Sequence, residues 1–258
     1  MSGRWRNRLS RSSLRSASTS GADVTLIRSD ERYVSVRDGI TTRHSFSYGD
    51  HYDPDNVAFG PLRAVNEELL APGAGYDAHA HADVEIVTWV LDGALAHADS
   101  TGVDGTVRPG EVQHVSARTG IEHTERNASA TEPLRFLQMM LAPSPDELAS
   151  PDPGPPVYRQ ADLAGARGYL IDVLAVRPGV GLQAALLDAG DQVGLDEAPG
   201  MVHLQVSRGS IDLGTPRRRR PHRLEVGDAV RAVDAAGLSV RAVTSAEVLI
   251  WRFDEEVA

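Results

Sequence analysis

The chain has 258 residues, 41% of them hydrophobic, and a formal net charge of −10. That is enough for one large domain or two of about 120 residues each, and acidic enough to argue against general binding to nucleic acid or a membrane surface. There is no cysteine and no lysine, all 26 basic residues being arginine, which excludes disulfides, thiolate metal sites, iron–sulfur clusters, thiol nucleophiles and Schiff-base chemistry.

Residues 1–22, MSGRWRNRLSRSSLRSASTSGA, hold five arginines and no acid. They read as a disordered arm and lack the apolar centre of a secretory signal. Beyond them no apolar run approaches the roughly 20 residues of a membrane span, and the composition fits a cytoplasmic protein. Helical periodicity is scarce. Short alternating or apolar runs recur between Gly, Pro and Asp: VEIVTWVLDG, GTVRPGEVQHVSA and LRFLQMMLA, then MVHLQVSRGSIDLG, HRLEVGDAVRAV and AEVLIWRFD. Many short strands at regular spacing predict a sandwich or barrel. The stretch Ala142 to Tyr158 carries six prolines and reads as a linker. The halves on either side of it repeat: Gly93, Gly110 and Gly120 are spaced 17 and 10, and Gly209, Gly227 and Gly237 are spaced 18 and 10. The expectation is an all-β chain of two tandem jelly-roll β-barrels. The arm would cover 1–22, the first domain 23–142, a Pro-rich linker 143–157 and the second domain 158–258.

In the first half, GYDAHAHADVE sets His79 and His81 two apart. Side chains alternate along a strand, so these two share a face, and so do Asp83 and Glu85. Later, GIEHTERN places His123 and Glu125 on one face of a second strand. Adjacent in a barrel, the two strands bring three imidazoles and a carboxylate to one point. Imidazole suits Fe, Cu, Ni or Zn, and the carboxylate tilts the set towards Fe or Mn. An octahedral ion would keep two positions open for substrate and O2. An H-x-H alone is more often a polar strand face; the downstream G-x-x-H-x-E is what makes it a metal pattern. Counted from the aligned glycines, Leu195, Glu197, Val240 and Ala242 stand where the first half has His79, His81, His123 and Glu125. Three of those four cannot bind a metal, so the second barrel is expected to keep the fold without the site.

Gln113 and His114 are expected near the site, one of them facing it, and His97 on the outer face of its strand. The basic run Thr215 to His222, TPRRRRPH, reads as a solvated hairpin tip. No G-x-S-x-G, P-loop or Rossmann pattern is present, so covalent hydrolase and nucleotide readings fall away.

Gly73 followed by H-x-H-x3-E resembles the first cupin motif, and Gly120-x2-His123-x3-Asn127 resembles the end of the second. Within the cupins, HAHADVEIVTWVLDGALAHADSTG, RPGEVQHVSARTGIEHTERN and HSFSYGDHYDPDNVAFGPLRAVNEELLAPGAGY resemble the pirin family, from about His44 to Ala142. The second half resembles, more loosely, the degenerate C-terminal cupin of bacterial pirins. Ala80, Trp89 and Arg118 depart from the family's usual Pro, Tyr and Gly, and none of these changes removes a ligand. The resemblance implies one divalent transition metal per chain, Fe2+ foremost with Mn, Ni, Cu or Zn as alternatives, held by His79, His81, His123 and Glu125. Glu85 occupies the general cupin ligand position. The pirin pattern assigns the carboxylate to Glu125 instead and leaves Glu85 beside the ligands, orienting an imidazole.

The resemblance further implies an oxidoreductase of quercetin 2,3-dioxygenase type. Its substrate would be a flavonol or other enol together with O2. Glu125 would accept the enol proton, and carbon monoxide and a depside ester would leave. The alternative is a metal-dependent redox sensor that regulates a protein partner. Neither role implies direct nucleic-acid or membrane binding.

Overall fold

The structure, a computed structural model, describes residues 23–163, 165–195, 200–216 and 218–254. The expected arm over 1–22, together with Glu197 and Arg217, lies outside the described residues. The fold is nearly all strand. A seven-stranded sheet runs in spatial order Val157–Asp162, Glu111–Ser116, Glu85–Asp92, Leu134–Leu141, Leu62–Leu70, Ile40–His44, Tyr33–Arg37. Gly75–His81, Ile121–Asn127, Leu95–Asp99 and Asp104–Val107 form the four-stranded sheet that packs on it, with Leu95 and Val107 meeting Val90, Leu134 and Phe136.

The second half repeats this plan. Its six-stranded sheet runs Asp23–Ile27, Ala229–Val233, Met201–Arg208, Ala246–Phe253, Val180–Leu187, Leu170–Arg177, and its four-stranded sheet runs Gln192–Gly194, Ser239–Ala242, Ser210–Gly214, His222–Glu225. The repeated glycines mark equivalent turns. All six have positive φ, from 68° at Gly209 to 132° at Gly120, a region that side chains with a Cβ rarely enter. The two expected jelly-roll barrels are therefore present, and among the described residues the second has an apolar core where the first has its histidines.

Two strands cross the expected domain limits. Asp23–Ile27 pairs with Ala229–Val233 of the second barrel, and Val157–Asp162 pairs with Glu111–Ser116 of the first. Each large sheet thus has one edge covered by a strand from the other half of the chain, which satisfies backbone groups an open edge would leave bare. The Pro-rich connection is itself ordered. Ser144 caps the short helix Pro145–Ala149 in a reciprocal capping box with Glu147.

Glu85–Asp92 shows why one run of sequence can be buried on both faces. Val87, Trp89 and Leu91 point one way and join Trp251, Phe253 and Leu182 of the second half in a shared core. Ile86 and Val90 point the other way, into cores of the first barrel. Continuous apolar composition follows from this double burial. Polar bonds tie the halves as well: Trp89 Nε1 donates to Glu247 at 2.8 Å, and Arg208 pairs with Asp92 at 2.9 Å.

Candidate metal centre

Gly75–His81 and Ile121–Asn127 are antiparallel neighbours, with His79 opposite His123 and His81 opposite Ile121. A register shift follows: Tyr76, three residues before His79, stands opposite Glu125, two residues after His123. This bulge re-aims the strand. It turns Tyr76 and His79 to the same interior and leaves Asp77 outside, exposed and paired with Arg126. The close approach requires Gly75, where a Cβ would stand 2.5 Å from the Glu125 carbonyl oxygen.

The imidazoles of His79, His81 and His123 converge, with ring centroids 4.5 to 5.1 Å apart. The Nε2 atoms of His79 and His123 lie 3.0 Å apart. Two ligands at right angles about one ion, each about 2.1 Å away, stand about 3.0 Å apart. His79 Nδ1 donates to the Asp77 carbonyl at 2.8 Å, which leaves its Nε2 lone pair facing the cluster. Burial, then the neighbouring imidazoles, pushes the His123 pKa down to about 3 and that of His81 below its ordinary value. Both rings are therefore neutral, the form that binds metal.

Glu125 is fully buried beside them. Gln138 Nε2 donates to its Oε2 at 2.7 Å, while Oε1 is buried without a hydrogen-bond partner. Burial, followed by the like charge of Glu68, pushes the Glu125 pKa up to about 7. Glu125 joins the cluster through His123, with which it and His97 form the second trio, and a donor set of three imidazoles with an adjoining carboxylate fits a divalent transition metal. His79, His81 and Glu125 open onto a cavity of about 420 Å³, within the range of small-molecule pockets.

Three expectations need correction. Glu85 does not adjoin the cluster. The chain turns at Asp83, φ 50°, between the two strands, so parity counted from His81 does not carry through. Glu85 accepts from Ser116 at 2.7 Å and bonds His114 Nε2 at 2.6 Å, on the sheet face that carries Val87. It does orient an imidazole, but His114 is not in the cluster. His97 is not on an outer face. It is 1% exposed, stands opposite Glu125, bonds the Asp99 carboxylate through Nε2 at 3.1 Å, and forms a second trio with His123 and Glu125.

The third correction concerns the second barrel. Val193 pairs with Val240, and Leu195 bonds back to Leu238. Val193 and Leu195, not Leu195 and Glu197, are therefore the counterparts of His79 and His81. The connection to the next strand is longer in that half, so counting across it slips by two. Val193, Leu195, Val240 and Ala242 all lie in one apolar core, where no metal could be held.

Several cavity residues carried no motif. Thr42, His44, Glu68, Tyr76 and Gln138 line the cavity. Two adjacent acids in the largely buried strand LRAVNEELL were the available signal for Glu68. Gln113 is buried and bonds Tyr158, whose ring lies against His97, while His114 faces away. Arg218, Arg219 and Arg220 of the basic run are exposed, as a hairpin tip requires.

The pirin family model matches residues 27–141. A Mycobacterium tuberculosis protein named "putative quercetin 2,3-dioxygenase" is 39% identical over 243 residues, covering 89% of this chain and 95% of that one. An Escherichia coli K12 quercetin 2,3-dioxygenase is 29% identical over 237 residues, covering 88% and 97%. Among solved structures, a bacterial pirin from Escherichia coli in complex with nickel(II) superposes with a TM-score of 0.79 at 28% identity, covering 90% of this chain and 99% of that one. Motif spacing, duplicated barrels and similarity over about nine-tenths of the chain agree: the chain belongs to the pirin family.

Proposed function

We propose that the chain is a mononuclear-metal dioxygenase that cleaves a flavonol-like enol, with His79, His81, His123 and Glu125 as ligands and Fe2+ as the ion. The observation that carries this reading is the convergence of the His79, His81 and His123 rings, with Glu125 beside His123 and lining the same ligand-sized cavity as His79 and His81. The names of the relatives support the reaction class, and the nickel-bound pirin supports a divalent metal.

When bound, a divalent ion supplies Lewis acidity at an open position and lowers the pKa of a hydroxyl that reaches it. The chain does the rest. The Asp77 carbonyl and Gln138 hold His79 and Glu125 in orientation. Three stacked rings, Tyr33, His44 and Tyr48, line the cavity with successive centroids 5.7 and 5.3 Å apart. They give the cavity an aromatic wall, which suits a flat aromatic substrate.

The test is oxygen uptake with quercetin by iron-loaded wild type and by His123→Ala. Uptake in wild type, with carbon monoxide released and both lost in the variant, is the expected result. Iron held by wild type without uptake on quercetin would overturn the reaction and leave the site.

A further inference from the structure

We infer that Glu68, and not the ligand Glu125, receives the proton of the substrate hydroxyl. This rests on the flavonol reading above and assigns a step within it. Glu68 lies on Leu62–Leu70, opposite Thr42 on one side and Phe136 on the other, and its side chain enters the same cavity as His79, His81 and Glu125. Oε2 accepts from the Thr42 hydroxyl at 2.6 Å and the Tyr76 phenol at 2.9 Å. Oε1 has no hydrogen-bond partner among the described residues. The carboxyl is thus fixed by one oxygen and offers the other to whatever fills the cavity. Glu125 is placed otherwise: Oε2 is taken by Gln138, and the carboxyl is grouped with the rings of His123 and His97. A carboxylate that ligates a cation is a poor base, because the cation holds the electron pair the proton would need.

The ionisable groups facing Glu68 are Tyr76, by hydrogen bond, and Tyr48 and Glu125, through space. Burial pushes the Glu68 pKa up to about 7, with the Thr42 and Tyr76 hydrogen bonds opposing. That value suits a base working near neutrality. In the step, the substrate O–H bond breaks and its electron pair stays on the substrate oxygen. The proton bonds to Glu68 Oε1 and returns to the carboxylate of the product, so the residue ends the turnover as it began.

The experiment uses metal-loaded protein without O2, with 3-hydroxyflavone and flavone as probes, which differ only in the enol hydroxyl. Wild type should bind 3-hydroxyflavone as its ionised form, read as a shift of its absorption to longer wavelength. Glu68→Gln keeps size and can still bond Thr42 and Tyr76. It should retain one metal per chain and bind flavone as wild type does. It should bind 3-hydroxyflavone un-ionised and turn over about 100-fold more slowly once O2 is admitted. Full ionisation in Glu68→Gln overturns the inference. Metal-loaded wild type that neither binds nor ionises 3-hydroxyflavone overturns the flavonol reading itself, and the inference with it. Tyr76→Phe is an independent arm: losing one donor makes Glu68 more basic, so the acidic limb of kcat should move to higher pH. An unmoved limb counts against Glu68.

Discussion

Replacing Glu125 by glutamine separates the stability of the metal-free protein from its function. In the folded, metal-free chain the Glu125 carboxyl has its pKa raised from 4.5 to about 7, first by burial and then by Glu68. A carboxyl raised in this way still holds its proton when the unfolded chain has released it. Its effect on stability is absent below about pH 4.5 and grows as a penalty as pH rises, complete above about 7. At about 1.4 kcal/mol per pH unit the full penalty is about 3.5 kcal/mol, and about 2.5 kcal/mol of it develops between pH 5 and pH 8. Glu125→Gln carries no charge to bury, and Gln138 can still donate to its amide oxygen. Glu68 is present in both proteins, and only its repulsion with Glu125, already one cause of the raised pKa, enters the difference. Urea unfolding of chelator-treated wild type and variant at both pH values is the assay. The variant should gain on wild type by about 2.5 kcal/mol from pH 5 to pH 8 while losing metal binding. A gap that does not change with pH would refute a buried, unpartnered carboxyl at this position.

Glu85→Ala strands the Ser116 hydroxyl and the His114 ring and should cost about 1–3 kcal/mol in urea unfolding, with metal content unchanged by elemental analysis; loss of metal would return Glu85 to the ligand set. Gly75→Ala forces a Cβ to 2.5 Å from the Glu125 carbonyl oxygen. It should cost about 1–3 kcal/mol and weaken metal binding by displacing the strand that carries His79 and His81, as read by metal titration. Trp251→Ala empties the core shared by the two barrels and should cost about 3–5 kcal/mol. A calorimetric trace that splits into two transitions would show that this core couples the halves.

Much of the site lay open in local spacing. His79 with His81, and His123 with Glu125, each sit on one strand, where alternation alone decides the face. The duplicated barrels were legible in six glycines because positive φ leaves few other residues able to make those turns. What failed were arguments that cross a turn. Alternation from His81 to Glu85 breaks at Asp83, and the count from Gly209 back to the counterparts of His79 slips across a longer connection. His97 was misjudged because a strand beginning after a glycine turn gives no sign of which parity faces inward. Asp23–Ile27 and Val157–Asp162 exchange barrels, a choice fixed by edge pairing far away in sequence. Glu68 carries no motif, and its role depends on hydroxyls from Thr42 and Tyr76 that only folding brings together.

The central claim is one divalent metal held by His79, His81, His123 and Glu125. Its most direct test is an anaerobic titration of metal-free protein with Fe2+, followed by calorimetry, on wild type, His123→Ala and Glu85→Gln. One ion per chain is expected in wild type and Glu85→Gln, with binding abolished or weakened by at least about tenfold in His123→Ala. Binding to His123→Ala as tight as to wild type, or none to wild type, would contradict it.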